Sequence, residues 1–515
     1  MEILLDCIKK NYKKIIAIAL VLILLVSSCC IYFLVPGVRK LSIKVYENDV
    51  IKTTYGWGTS ACWWSQNIDD SETRTDIAKL LYSKDGLGLN IYRYNIGAGF
   101  DEKERTANPW RRAESFYYLN PETNNWEYDF SRDKNAYSFL KESISYGCID
   151  TVVLFAKSPH YSFTESGMAS GSLKDNTCNL RKEYYKDYVD YLLTIAEHFL
   201  SDGIPVKYIS PINEPQWSWG GEWVGQEGCH YEIDEAINLL RELAKGIKER
   251  NLDIKIMAPE SGELAGVTKE YFDKIKNDEI IYPYLGSLAY HSYWTDNYVK
   301  LKEDFAETVD NEYSDIRVDM TEWCELPCWH DVSDVNSAVV MARVIANDMQ
   351  LSHSSSWTSW VAVNQNGINE EDHKNYSDGL ITANDDISSY EIAARYYALA
   401  HFSKYIPTES QLIKSKVNMS TLTSEIDWNI EDENDPKREK TNYSLSYAAF
   451  KTPDEKIVLV LVNEGDTRDI RISVKADNMT VIRTDDNNTL SEIYSGKKKS
   501  IIEVPNNSIT TVIYS

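Results

Sequence analysis

The sequence predicts a (β/α)8 TIM barrel that carries a β-sandwich side domain. Three observations predict it. Over residues 53–406, eight short runs rich in Val, Ile and aromatic residues are each followed by sequence of helical period, the pattern of a parallel sheet covered by helices. No Gly-rich phosphate turn follows the first run, which weakens the alternative, a doubly wound open sheet. Beyond residue 406, short alternating strands follow one another with Asn, Asp and Gly between them, as in a small β-sandwich.

Taken in order, the strand-like LSIKVYENDVI, within residues 41–52, precedes the barrel and is expected to join the sandwich from the N-terminal side. YGWGTSACWW then opens the barrel, with the helix TRTDIAKLLYS behind it, and LNIYRYNIG is followed by NAYSFLKESISYG. DTVVLFAKSPH is third; in its helix Tyr185, Tyr188, Val189, Leu192, Leu193, Ala196 and Phe199 form one apolar stripe. VKYISPINEP is fourth, and Ile233, Ile237, Leu240, Leu243 and Ile247 share a face of the helix after it. DIKIMAPES, LGSLAYHSYW, DIRVDMTEW and SSWTSWVAV complete the eight, and YEIAARYYALAHFSKYI is the last helix. Residues 407–515 supply the sandwich through NYSLSYAAF, KIVLVLVNEG, DIRISVKA, MTVIRT and SITTVIYS, while EIDWNIEDENDPKREK reads as a solvated acidic loop.

At the N-terminus a basic segment, residues 1–14, precedes an uncharged apolar run over residues 15–35. At ~1.5 Å per residue that run can span a hydrocarbon core of roughly 30 Å. Lysines on its N-terminal side place residues 1–14 in the cytoplasm and the rest outside, so a signal anchor is expected. A cleaved signal peptide has the same order, and Cys29 behind Val26-Ser27-Ser28 resembles a lipobox. All three readings export the protein, to the outer face of the cell membrane or, after cleavage, to the medium. Export permits disulfides among Cys62, Cys148, Cys178, Cys229, Cys324 and Cys328. Cys324 and Cys328 lack a second ligand pair at zinc spacing, so no metal site is expected. A net charge of −25 argues against a nucleic-acid partner, and a monomer is expected.

In such a barrel the chemistry sits at the C-terminal ends of the strands. Glu214 ends the fourth, where Pro215 turns the chain away, and Glu322 ends the seventh. Two carboxylates on one face suit glycoside hydrolysis: at ~5–5.5 Å apart, one attacks the anomeric carbon while the other protonates the leaving oxygen. Glu214 is the expected acid/base and Glu322 the expected nucleophile. Glu325, in the CELPC loop beyond the strand, is the rival to Glu322. Asn213 can bind the sugar's 2-hydroxyl, and Arg93, costly to bury unpaired, is expected to hold Glu322 ionised. His291 and Tyr293 share one side of the sixth strand; Tyr293 can donate to Glu322, and His291 is a site residue or a structural histidine. Trp64, Trp217, Trp294 and Trp360 fall at predicted strand ends as candidates to floor a sugar subsite.

GWGTSACWW, GLGLNIYRYNIGAG, SPINEPQW, MTEW and ARYYALAHFSKYIP, in this order, resemble segments of glycoside hydrolase family 30. The resemblance covers the barrel, and the terminal strands resemble that family's side sandwich. It implies a retaining β-glycosidase acting on a β-linked glycan without a cofactor, with Glu214 as acid/base and Glu322 as nucleophile. LFAKSPHYSFTESGMASGS and GQEGCHY look most like the endo-β-1,6-galactanase branch, which implies action on β-1,6-linked galactose such as arabinogalactan side chains. His160-Tyr161 and Trp323 depart from the family's pattern near a substrate subsite, so β-1,6-glucanase, glucosylceramidase-like and xylan-directed activities remain alternatives. A non-catalytic carbohydrate-binding surface protein on the same barrel would be expected to lack one carboxylate, and both are present.

Overall fold

The computed structural model describes residues 41–515 apart from 223–224, 265, 419–421, 427–438 and 444. The expected leader, residues 1–14 and 15–35 with Cys29, lies outside the described residues. Among the described residues no helix is long and apolar enough to cross a membrane. Cys62, Cys148, Cys178, Cys229, Cys324 and Cys328 are free thiols.

Eight parallel strands close into a barrel in sequence order: β1 (Gly56–Ser60), β2 (Ile91–Asn95), β3 (Thr151–Phe155), β4 (Val206–Ser210), β5 (Lys255–Ser261), β6 (Leu285–His291), β7 (Arg317–Glu322) and β8 (Ser356–Ser359), with β8 pairing back onto β1. A helix follows each: α1 (Ser71–Tyr82), α2 (Lys134–Ser145), α3 (Tyr185–Ser201), α4 (Ile233–Arg250), α5 (Thr268–Lys276), α6 (Val299–Glu312), α7 (Val335–Gln350) and α8 (Ala394–Ser403). The helices stop and start where their ends can be satisfied. In α4 a capping box joins Glu232 and Glu235, and Asn251 ends the helix in the left-handed region, φ 50°.

Side chains alternate across the barrel wall. Ile91 meets Val153, Met257 and Ala289 in an inner layer, whereas Tyr92, Tyr94, Val152 and Leu154 join the shell under the helices. Arg93, two residues beyond Ile91, therefore stands inside the barrel one layer nearer its C-terminal mouth. On β7 the same period sends Val318 and Met320 to the shell, and an irregularity in the register between Met320 and Glu322 brings Glu322 to the mouth.

The side domain is a nine-stranded sheet folded over its own core. Its order is Asn488–Lys497, Asn478–Asp485, Ser508–Tyr514, Ile457–Asn463, Leu445–Lys451, Gln411–Val417, Leu41–Thr53, Arg468–Ser473 and Ile501–Val504. The N-terminal strand thus joins the sandwich, antiparallel to Gln411–Val417 and parallel to Arg468–Ser473. The unbroken apolar run Ile457–Asn463 has a reason: Ile457, Leu459 and Leu461 fill the sandwich core, and Val458, Val460 and Val462 pack into the barrel core. Three strands of this sheet escape the sequence reading, as does a separate hairpin of Leu422–Ile426 with Glu439–Tyr443 at the ends of the expected acidic loop, whose residues 427–438 lie outside the described residues. Gln411–Val417 and Asn488–Lys497 are too polar to look like strands because each is only partly buried, and Ile501–Val504 is short.

Candidate active site

A cavity of about 540 Å³ opens at the C-terminal mouth, walled by Glu214, Glu322, Lys157 and the rings of Trp217, Trp219, Tyr293, Trp294 and Trp360. A larger groove of about 1300 Å³ lies at the N-terminal strand ends, lined by Tyr55, Arg317 and Ser355, the end of a barrel that serves stability rather than chemistry.

Glu214 is held in the left-handed region, φ 46°. A non-Gly residue keeps that conformation only where its surroundings fix it. Here its N–H donates to the Glu260 carbonyl at 2.8 Å, and its own carbonyl accepts from Trp217 N at 3.1 Å and Trp219 Nε1 at 2.9 Å. Its Oε1 lies 2.9 Å from His291 Nδ1. Glu322, 2% exposed, receives Arg93 Nη1 on Oε2 at 2.5 Å and the Tyr293 hydroxyl on Oε1 at 3.3 Å. Ligand-type atoms of Glu214, His291 and Glu322 all lie within 4.8 Å of one another.

Electrostatics keeps Glu322 ionised. Burial pushes the Glu322 carboxyl up, but the nearby charges of Lys157, His291 and Arg93 outweigh it and hold the group below its ordinary value. Burial raises the Tyr293 phenol far above its ordinary value, so it stays a donor to Glu322. Behind the pair lies a third carboxylate, Glu260 at the end of β5, fully buried and also left-handed, φ 58°. Its Oε2 meets His291 Nε2 at 3.1 Å, Arg93 Nη2 at 3.5 Å and the Thr321 hydroxyl. Burial opposes its ionisation, yet Arg93 and His291 hold it down at about 2. His291 in turn is penalised by burial but lifted to about 9 by Glu322, Glu214 and Glu260. Both ring nitrogens of His291 are engaged by carboxylates, Nδ1 by Glu214 and Nε2 by Glu260.

The expected site residues divide. Glu214, Glu322, Tyr293, Trp217, Trp294 and Trp360 face the cavity. Asn213 is 1% exposed; its Oδ1 accepts from Arg93 Nη2 at 3.2 Å, and its Nδ2 has no hydrogen-bond partner among the described residues. Arg93 and His291 stand behind the carboxylates, 1% and 0% exposed, and act on them rather than on a sugar. Trp64 is not part of the site. Strand β1 ends at Ser60, and Trp64 begins a 3-10 turn that folds its ring inwards, edge-on to Phe139 at 4.6 Å. Glu325 is turned to Arg395 Nη2 at 3.0 Å and His330 Nδ1 at 2.6 Å, away from the cavity. Glu260 and Lys157 were not anticipated. Glu260 does carry a sequence signal, an acid that ends an apolar strand run just after Ala258-Pro259.

The family model of O-glycosyl hydrolase family 30 matches residues 40–382, and that of the family 30 β-sandwich domain matches residues 436–512. The chain belongs to glycoside hydrolase family 30. It is therefore an O-glycosyl hydrolase acting on a β-linked glycan. An endo-β-1,6-galactanase of Hypocrea rufa is 23% identical over 390 residues, covering 70% of this chain and 74% of that protein. Among solved structures, a conserved exported protein from Bacteroides fragilis superposes with a TM-score of 0.75 at 22% identity, covering 92% of this chain and 100% of the other. An endo-β-1,6-glucanase superposes with a TM-score of 0.63 at 17% identity, covering 92% of the hydrolase and 94% of the other chain. These likenesses extend the family's fold over both the barrel and the side domain.

Proposed function

We propose that this family 30 hydrolase is a retaining endo-β-1,6-galactanase, with Glu214 as acid/base and Glu322 as nucleophile. The observation that carries the mechanism is the spacing of the carboxylates: oxygens of Glu214 and Glu322 lie within 4.8 Å. Retention wants roughly 5–5.5 Å between the two groups, whereas inversion needs ~6.5–9.5 Å to admit a water. Glu322, faced by Arg93 and Lys157, is the group kept ionised and ready to attack.

In the first step a Glu322 oxygen bonds to the anomeric carbon as the glycosidic bond breaks, and Glu214 gives its proton to the departing oxygen. In the second, Glu214 takes a proton from water, the water oxygen bonds to the anomeric carbon, and the ester to Glu322 breaks. Asn213 is assigned the sugar's 2-hydroxyl, a contact that strengthens in the transition state; its Nδ2, without a hydrogen-bond partner among the described residues, supports that assignment.

The galactose preference is supported by the alignment with the galactanase, and the flat walls of Trp217, Trp294 and Trp360 suit the faces of pyranose rings. Export, with residues 15–35 as a membrane anchor, is part of the same proposal and is supported by the charge order at the N-terminus. The test is oligosaccharide release from β-1,6-galactan by the full chain beside Glu322→Gln, with the first-formed anomer read by NMR. Release by the parent alone, β-anomer first, is expected. No release from galactan overturns the substrate and sends the test to β-1,6-glucan and xylan; α-anomer first overturns retention; equal release by both proteins removes Glu322.

A further inference from the structure

We propose that Lys157 is a sugar-binding residue, donating hydrogen bonds to hydroxyl groups of the glycone that sits against Glu322, and that it sets the choice among neutral glycones. The proposal rests on the reading of Glu322 as nucleophile, since that fixes where the glycone sits.

Lys157 comes just after β3 and is 2% exposed, an unusual burial for an ammonium. Its Nζ lies 4.1 Å from the Trp360 ring centroid, 5.5 Å from that of Trp63 and 5.9 Å from that of Trp219. Three aromatic faces stabilise the charge but accept no conventional hydrogen bond. Among the described residues Lys157 has neither an ion-pair partner within bonding distance nor a side-chain hydrogen bond. It is also the only cation among the described residues that wall the cavity. Arg93 turns Nη1 and Nη2 to Glu322 and Asn213, and His291 turns its two ring nitrogens to Glu214 and Glu260. An ammonium with three N–H donors turned to a ligand cavity bonds water there until a ligand brings acceptors in its place.

The surroundings choose which acceptors. Lys157 and Glu322 wall the same cavity, and Lys157 is one of the charges that hold Glu322 ionised. A carboxylate on the sugar would have to enter beside Glu322, where like charges repel. Hydroxyl oxygens carry no such penalty. The ligand is therefore a neutral glycone, not a uronate.

The experiment compares the wild-type enzyme with Lys157→Met on 4-nitrophenyl β-D-galactoside, glucoside, xyloside and glucuronide. It then uses the 3-, 4- and 6-deoxy forms of the best glycone. Lys157→Met is expected to keep the wild-type melting temperature and to lose about 10–100-fold in kcat/KM on the best neutral glycoside. At least one deoxy glycoside should lose about tenfold or more with the wild-type enzyme and far less with Lys157→Met, because hydroxyl and lysine act as one pair. If Lys157→Met does not fold, Lys157→Gln is read in the same way, and failure of both to fold overturns the proposal. So do an unchanged kcat/KM, equal deoxy penalties in both proteins, or a wild-type preference for the glucuronide. Failure of the underlying reading shows separately, as activity retained by Glu322→Gln.

Discussion

Glu214 and Gly262 lie side by side at the ends of neighbouring strands of the barrel: a β-carbon on Gly262 would stand 3.0 Å from Glu214 Oε1 and 2.2 Å from Trp217 Nε1. Strand β5 and the residue after it thus shape the acid/base twice. The Glu260 carbonyl fixes the Glu214 backbone, and the bare Cα of Gly262 leaves room for its carboxyl and for the neighbouring indole.

Gly262→Ala is expected to fold, since the crowded atoms belong to side chains at a cavity edge. It should lose about 10²-fold in kcat, the scale of a 1 Å misplacement in a catalytic group. Steady-state kinetics with the melting temperature alongside checks this; an alanine variant as active as the parent would show that Trp217 and Glu214 can step aside.

Arg93→Lys should also be costly. The guanidinium serves Glu322, Asn213 and Glu260 at once, with its plane over the Phe155 ring at 3.7 Å, and an ammonium cannot reproduce that fork. A fall of roughly 10²-fold in kcat/KM is expected. Loss of the close cationic contact raises the Glu322 carboxyl, so the acid limb of the pH profile should move to higher pH. A profile with an unmoved acid limb would contradict the role given to Arg93.

Stability should depend on pH through His291 and Glu260, with opposite signs. The folded value of His291 is raised from 6.5 to about 9. Its contribution is complete below the unfolded value and is lost as pH rises through about 9. Glu260 is lowered from 4.5 to about 2, so its contribution is complete above 4.5 and is lost as pH falls through about 2. Melting temperature against pH should fall on both sides, and His291→Gln should flatten the alkaline fall. An alkaline fall of equal size in that variant would place its cause elsewhere.

Glu325→Gln separates the rival carboxylate from the mechanism. Glu325 and Arg395 form a buried pair, 6% and 1% exposed at their side chains, and an uncompensated buried charge costs about 3–5 kcal/mol. Denaturant unfolding should show a loss on that scale, while the folded variant still releases sugar. Loss of turnover at unchanged stability would instead bring Glu325 into the chemistry.

The barrel was legible because its strands are short apolar runs, each with a helical stripe behind it, and because parallel strands are buried on both faces. Glu214 and Glu322 were legible as strand-end acids. Trp64 misled because a strand that stops at Ser60 looks the same in sequence as one that continues, and the 3-10 turn alone reverses its ring. Glu260 went unnoticed because its strand lacks an Asn or Trp beside the acid. Lys157 is invisible in sequence for a different reason: lysine is ordinarily a surface residue, and the aromatic cage around it is assembled from Trp63, Trp219 and Trp360, which are far apart in the chain.

The strand Leu41–Thr53 is bonded on one edge to Gln411–Val417 and on the other to Arg468–Ser473, and Thr54 N donates to the Ser410 carbonyl at 2.7 Å beside it. On the ribosome, at ~5–20 residues per second, this strand waits on the order of a minute for both partners to be made. During that wait Ile43 and Val45 are uncovered, and an open edge can pair with another nascent chain. A chain cut short before residue 473 leaves the Arg468–Ser473 side of that strand unpaired, an open edge on which another chain can build.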